Sequence, residues 1–150
     1  MQDKDLWRLS ASALAALTQK GEVSATEAVT DALARMDALN PALNAVVVDL
    51  RDEALARAEV LDSTPPALRG PLHGVPVTIK INVDQTGHAT SNGVLAFKDL
   101  IAPDDAPVVD NLERAGAVVI GRTNTPEFSF RADTDNDLHG RTHNPWGPHI

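Results

Sequence analysis

The sequence predicts an α/β fold in which neighbouring strands run parallel. Three stretches carry that expectation. From Val75 to Val83 the residues alternate, with Val75, Val77, Ile79 and Ile81 on one side and Thr78, Lys80 and Asn82 on the other, the period of a strand. Residues 106–115 place Val108, Val109, Leu112 and Ala115 on one stripe behind Pro107, which suits a first helical turn. Residues 117–120 are wholly apolar and stop at Gly121. Strand, helix and strand in that order fit a crossover unit with parallel strands.

The elements before this unit are mostly helical. Ser10 can cap a short helix with Leu14 and Leu17 on one face, and Gly21 stands where a left-handed terminating residue is wanted. Ser24 and Glu27 have capping-box spacing, and Val29, Ala32, Leu33, Met36 and Leu39 recur at steps of three and four. Asn40-Pro41 is expected to end that helix. Val46-Val47-Val48 reads as a short β-branched run, followed by a helix over about 51–61 with alanines inward. Ser63-Thr-Pro-Pro66 stops it, and the stretch to Gly74 is expected as loop. Residues 84–103 show no period and read as irregular, and the chain closes on a loop rich in Gly and Pro.

Composition narrows the functional classes. The 150 residues hold 13 basic and 21 acidic side chains, a net charge of −8, with 43% hydrophobic residues, no cysteine and no tyrosine. One domain or part of one is expected at this length. The acidic balance leaves no basic patch to neutralise phosphates and disfavours anionic membrane surfaces, so neither nucleic acid nor membrane is expected as a partner. Without cysteine there is no disulfide, thiol nucleophile or thiolate metal site. The first twenty residues show neither a signal nor a transit pattern, and no apolar run reaches the roughly 20 residues of a bilayer span, so a cytoplasmic location is expected.

Few side chains invite a chemical reading. The five histidines, His73, His88, His139, His143 and His149, show no helical i, i+4 pair and fall in expected loops, so no metal site is assigned. Asp104-Asp105 reads as a helix start favoured by the macrodipole. Lys80 is different, because the alternation puts it within a strand between Ile79 and Ile81. If both faces of the sheet are covered, burial favours the neutral amine and makes the lysine a usable base. If one face is wet, Lys80 extends its stem along the sheet beside Thr78 and Asn82.

Three blocks bear on that choice: Gly70-Pro-Leu-His-Gly74-Val-Pro76-Val-Thr-Ile-Lys80, the run from Asp105 through Gly116 and Gly121 to Asn124-Thr-Pro126-Glu127-Phe128, and Gly140-Arg-Thr-His-Asn144-Pro-Trp146. In order and separation they resemble the amino-terminal half of the catalytic core of the amidase signature family. The resemblance implies the amino-terminal part of an α/β/α sandwich with a mixed β-sheet covered by helices. It divides residues 1–150 into a helical stretch 1–66 and an α/β stretch 67–150 of one incomplete domain. It also implies a Ser-cisSer-Lys hydrolase that cleaves carboxylic amides through an acyl-enzyme, without a cofactor. In that scheme Lys80 is the base, taking a proton from the nucleophilic serine through a bridging serine, while backbone N–H groups of a glycine-rich loop hold the oxyanion.

The resemblance implies that the two serines belong to a Gly-Gly-Ser-Ser-Gly-Gly block and the segment beyond it, and this sequence holds no such block. Ser10, Ser12, Ser24, Ser63, Ser91 and Ser129 have no comparable glycine setting, so none takes either role, and the chain alone is expected to be inactive. Two departures accompany this: Ile81 follows the lysine where the family usually has Asp, and Gly147 follows Asn-Pro-Trp where an acidic or amide residue is common. Asn124 and Glu127 follow a strand end, where α/β sites gather. They are expected either to order the loops around the lysine and line an acyl pocket, or to serve as turn residues. Trp146 is expected as a packing anchor. The expected partner is a small amide substrate, with self-association through exposed edges as a further possibility. A non-catalytic fragment acting as an interaction module is one alternative. Another is the amide-hydrolysing subunit of a transfer-RNA amidotransferase, against which Thr125-Pro126 stands where that subunit usually carries Met-Asp.

Overall fold

The computed structural model describes residues 5–147, so His149 lies outside the described residues. Its elements, in chain order, are α1 (Ala11–Lys20), α2 (Ala25–Leu43), β1 (Val46–Asp49), α3 (Arg51–Asp62), β2 (Pro76–Lys80), α4 (Pro107–Arg114) and β3 (Val118–Thr123). Contacts group them into two compact units. One comprises Met1–Asp37, Leu50–Val77 and Asn111–Ile120, the other Ala38–Asp49, Thr78–Asp110 and Gly121–Ile150.

In the first unit the caps follow the chemistry of the sequence. Ser10 Oγ accepts from the Ala13 N–H at 3.2 Å, and Gly21 closes α1 at φ +73°. Ser24 and Glu27 exchange bonds of 2.8 and 2.9 Å, satisfying two orphan donors of α2. Asp62, at the end of α3, adds its carboxylate to the same helix start, accepting from the N–H groups of Ala25 and Thr26. The core is built from Ala25, Val29 and Leu33 of α2, Ala54, Ala58 and Leu61 of α3, and Val118 and Ile120 of β3. Alanines at the helix contacts let backbones approach closely, which is why a weakly amphipathic helix such as α3 packs there.

The sheet has three strands in the order β1-β3-β2. β1 is antiparallel to β3, with Val46 opposite Thr123, Val48 opposite Arg122 and Asp49 opposite Gly121. The β2 side is parallel, since the Val118 N–H bonds the Val75 carbonyl and the Ile81 N–H bonds the Thr123 carbonyl, both pairings advancing together. The sheet is therefore mixed, and the parallel crossover expected from the sequence is present.

Three boundaries differ from expectation. α2 passes through Pro41 to Leu43. A proline in the last turn forfeits one helical bond, and Asn40 compensates: its side chain accepts from the N–H groups of Ala45 and Val46 and donates to the Val46 carbonyl, all within 2.9 Å. β2 stops at Lys80 because a turn closes there, with the Val83 N–H on the Lys80 carbonyl at 3.0 Å. β3 does not stop at Gly121 but runs on to Thr123. Gly121 is paired with Asp49, and Arg122 beyond it is fully buried, its guanidinium donating to the carbonyls of Val83 and Ala89 at 2.6 Å each. Two charge-assisted bonds to loop carbonyls make a buried cation tolerable at this strand position.

Residues 84–103 are irregular as expected, with one 3-10 turn at Leu95–Phe97 and an isolated bridge between Ala89 and Ile101. Among the described residues no helix is long and apolar enough to cross a membrane.

Candidate active site

The block that leads into β2 is fixed by close backbone contact. A Cβ on Gly70 would stand 2.3 Å from the Ala115 carbonyl oxygen, and one on Gly116, at φ +91°, would stand 2.9 Å from the His73 Cα. Only glycine fits at either place. The N–H groups of Leu72 and Gly74 donate to the carbonyls of Ala115 and Gly116 at 2.8 Å, and the Thr18 hydroxyl donates to the His73 carbonyl. His73 itself is buried, and burial, reinforced by the charge of Arg69, holds its imidazole below the usual value.

β2 then delivers Lys80 at its carboxyl end, where parallel strands gather sites. Lys80 is half-buried, between the core residues Ile79 and Ile81. Its ammonium donates to Ser129 Oγ at 3.3 Å, and the Asn82 amide donates to the same oxygen at 3.1 Å. Lys80 and Asn82 thus share a face, as the alternation requires. Ser129 Oγ also lies 3.0 Å from Thr125 Oγ1, and Thr125 is fully buried. The serine sits in a 3-10 turn in which both Phe128 (φ +50°) and Ser129 (φ +60°) are left-handed, a conformation that two successive non-glycine residues seldom share.

Asn124 is buried with its whole amide engaged. Its Nδ2 donates to the Gly140 carbonyl and Thr142 Oγ1, and its Oδ1 accepts from the Thr125 N–H and Asn136 Nδ2, at 2.8–3.1 Å. It therefore ties the loop of Gly140 and Thr142 to the turn that carries Ser129. Glu127 forms an ion pair with Arg131 at 2.6 Å, and Arg131 also holds the Asp135 carbonyl. Trp146, expected as a packing anchor for the loop leading into the glycine- and serine-rich block, is 89% exposed in these 150 residues. Ser129, Thr125 and Asn136 were not singled out as site residues from the sequence. Nothing about their spacing announces a site: the turn brings Ser129 to the lysine, Thr125 touches that serine, and Asn136 reaches Thr125 and Asn124. Among the described residues no cluster of three His, Cys, Asp or Glu side chains is arranged to hold a metal.

This geometry sits inside a recognisable sequence frame, because residues 27–150 match the profile of the Amidase family. The chain belongs to the Amidase family. An indoleacetamide hydrolase from Bradyrhizobium diazoefficiens is 58% identical over 147 residues, covering 97% of this chain and 28% of that protein. A glutamyl-tRNA(Gln) amidotransferase component from Symbiobacterium thermophilum is 37% identical over 141 residues, covering 92% of this chain and 29% of that one. Among solved structures, a 6-aminohexanoate cyclic dimer hydrolase complexed with substrate superposes with a TM-score of 0.84 at 34% identity, over 96% of this chain and 29% of that one. This Amidase-family chain thus spans under a third of the length of these relatives.

Proposed function

We propose that residues 1–150 form the amino-terminal part of one amidase signature domain, and that the protein hydrolyses small carboxylic amides through an acyl-enzyme with Lys80 as the base. The observation that carries this reading is the position of Lys80. It ends a strand parallel to β3, inside the matched family region, and among the described residues its amine stands with the Ser129 hydroxyl rather than paired to a carboxylate. An amine without a carboxylate partner can give up its proton, which a base must do before it can act. In this reading the nucleophilic and bridging serines come from a glycine- and serine-rich block and the segment beyond it, which these 150 residues do not contain. In this reading Asn124 and Glu127 order the loops around the lysine.

The 58% identity to an indoleacetamide hydrolase favours simple amides over the tRNA-linked transfer that names the amidotransferase relatives, which match at lower identity. The test is made on a protein in which the chain continues through the glycine- and serine-rich block. Lys80→Ala lowers kcat by about 10² to 10⁴-fold, the size of a general-base contribution, with unchanged circular dichroism. Lys80→Arg fails comparably, since a guanidinium stays protonated. Retention of most activity by Lys80→Arg overturns the assignment.

A further inference from the structure

Ser129 is the one hydroxyl in hydrogen-bond contact with Lys80 among the described residues. A serine hydroxyl has one proton and two lone pairs. Lys80 Nζ and Asn82 Nδ2 are both donors and occupy the two lone pairs. The serine proton is then directed at Thr125 Oγ1, 3.0 Å away, and the Thr125 proton at the Pro126 carbonyl, 3.1 Å away. Every bond in the chain has one direction, and it ends on the backbone beside a fully buried threonine.

The same arrangement argues against Ser129 as a nucleophile. Its proton faces Thr125, not the lysine. The N–H groups of Ser129 and Phe130, the nearest candidates to hold an oxyanion, are spent on the carbonyls of Pro126 and Glu127. What the hydroxyl can do is hold the tip of a long, flexible side chain. The left-handed pair Phe128–Ser129 is retained although it is strained, which is the cost of a turn that presents this hydroxyl to the lysine.

We propose that Ser129 is the positioning residue of Lys80: its hydroxyl, oriented by Thr125, fixes the amine at the end of β2. As a statement about catalysis this rests on the amidase reading; as a statement about the amine it does not.

Two measurements separate the two. In the 150-residue chain, competitive acetylation at trace reagent levels, read by mass spectrometry across pH, reports the reactivity of Lys80 against Lys20 and Lys98 as internal references. Ser129→Ala removes the hydroxyl that holds the amine, so at a given pH the rate of Lys80 labelling relative to Lys20 and Lys98 changes severalfold from the wild type, while the ratio of the two references to each other stays in place. Ser129→Gly does the same, and because glycine accepts φ +60° without strain, a change there belongs to the hydroxyl and not to the backbone. In the protein that carries the glycine- and serine-rich block, both variants lower kcat about tenfold with KM within twofold, the pattern of a displaced catalytic group. Unchanged Lys80 labelling in both variants overturns the proposal. Changed labelling in both variants, together with no amidase activity in the wild-type protein that carries the glycine- and serine-rich block, leaves the positioning role standing and removes the amidase reading. Unchanged kcat in an active enzyme removes the positioning role alone.

Discussion

Asn124 shows how a residue read as a site candidate does its work through other residues. Both ends of its amide are used, and a buried amide that loses its partners leaves several groups unsatisfied at once. Asn124→Ala is expected to destabilise the chain by about 2–3 kcal/mol, read as a lower urea midpoint. In the active enzyme it also costs kcat, because the loop of Gly140 and Thr142 and the turn of Thr125 and Ser129 come loose together. A urea midpoint equal to that of the wild type would show that the four bonds add nothing. The sequence showed Asn124 as turn chemistry after a strand, which is right as far as it goes. It did not show Asn136 on the far side of the bond, because a contact closed by folding leaves no local spacing. The place of Lys80 on β2 was legible because strand alternation points at one side chain. Ser129 was not, since the serine was judged by neighbouring glycines and its role depends on a left-handed turn.

The elements divide in the same way. α1, α2 and α3 could be read because capping groups and apolar periods are local, and Ser10, Ser24, Glu27 and Gly21 act where the sequence put them. The ends of β2 and β3 could not, because a strand ends where its neighbour stops pairing. Gly121 looks like a stop only until β1 is laid against it. At this scale the segment from Gly70 to Val75 carries a pH dependence. His73 is buried and held below its ordinary value by desolvation first and by Arg69 and Arg57 next, with Asp62 opposing. In the unfolded chain the imidazole binds a proton near pH 6.5, whereas in the folded chain it does so only at lower pH. The folded state is thus at full strength above about pH 6.5 and loses stability as pH falls from there towards the folded value. The urea midpoint followed by helical circular dichroism should drop between pH 7 and pH 5, and His73→Asn should flatten that drop. An equal drop in the variant would place the titrating group elsewhere.

At the scale of the whole molecule, the fold class was readable, and exposed edges were expected with it. Phe130, Trp146 and Leu68 are 87%, 89% and 74% exposed, and β1 and β2 are the edges of a three-stranded sheet. Exposed apolar side chains and unpaired strand edges invite association. The 150-residue chain is expected to melt broadly, bind hydrophobic dyes and self-associate, and to turn over no aryl or aliphatic amide. A sharp two-state transition with a monomeric profile at high concentration would speak for a self-contained domain. Turnover that disappears in Lys80→Ala would show that the serine block is dispensable.

The strand order has a temporal side. β3 is the centre of the sheet, and it is also the last of the three strands to be made. On the ribosome Val46–Asp49 and Pro76–Lys80 emerge before their strand partner, since among the described residues each pairs as a strand with Val118–Thr123. The helices can condense meanwhile from local contacts, but the sheet waits for distant ones, and such long closures slow folding. The lysine is therefore synthesised well before the strand and turn that fix it in place.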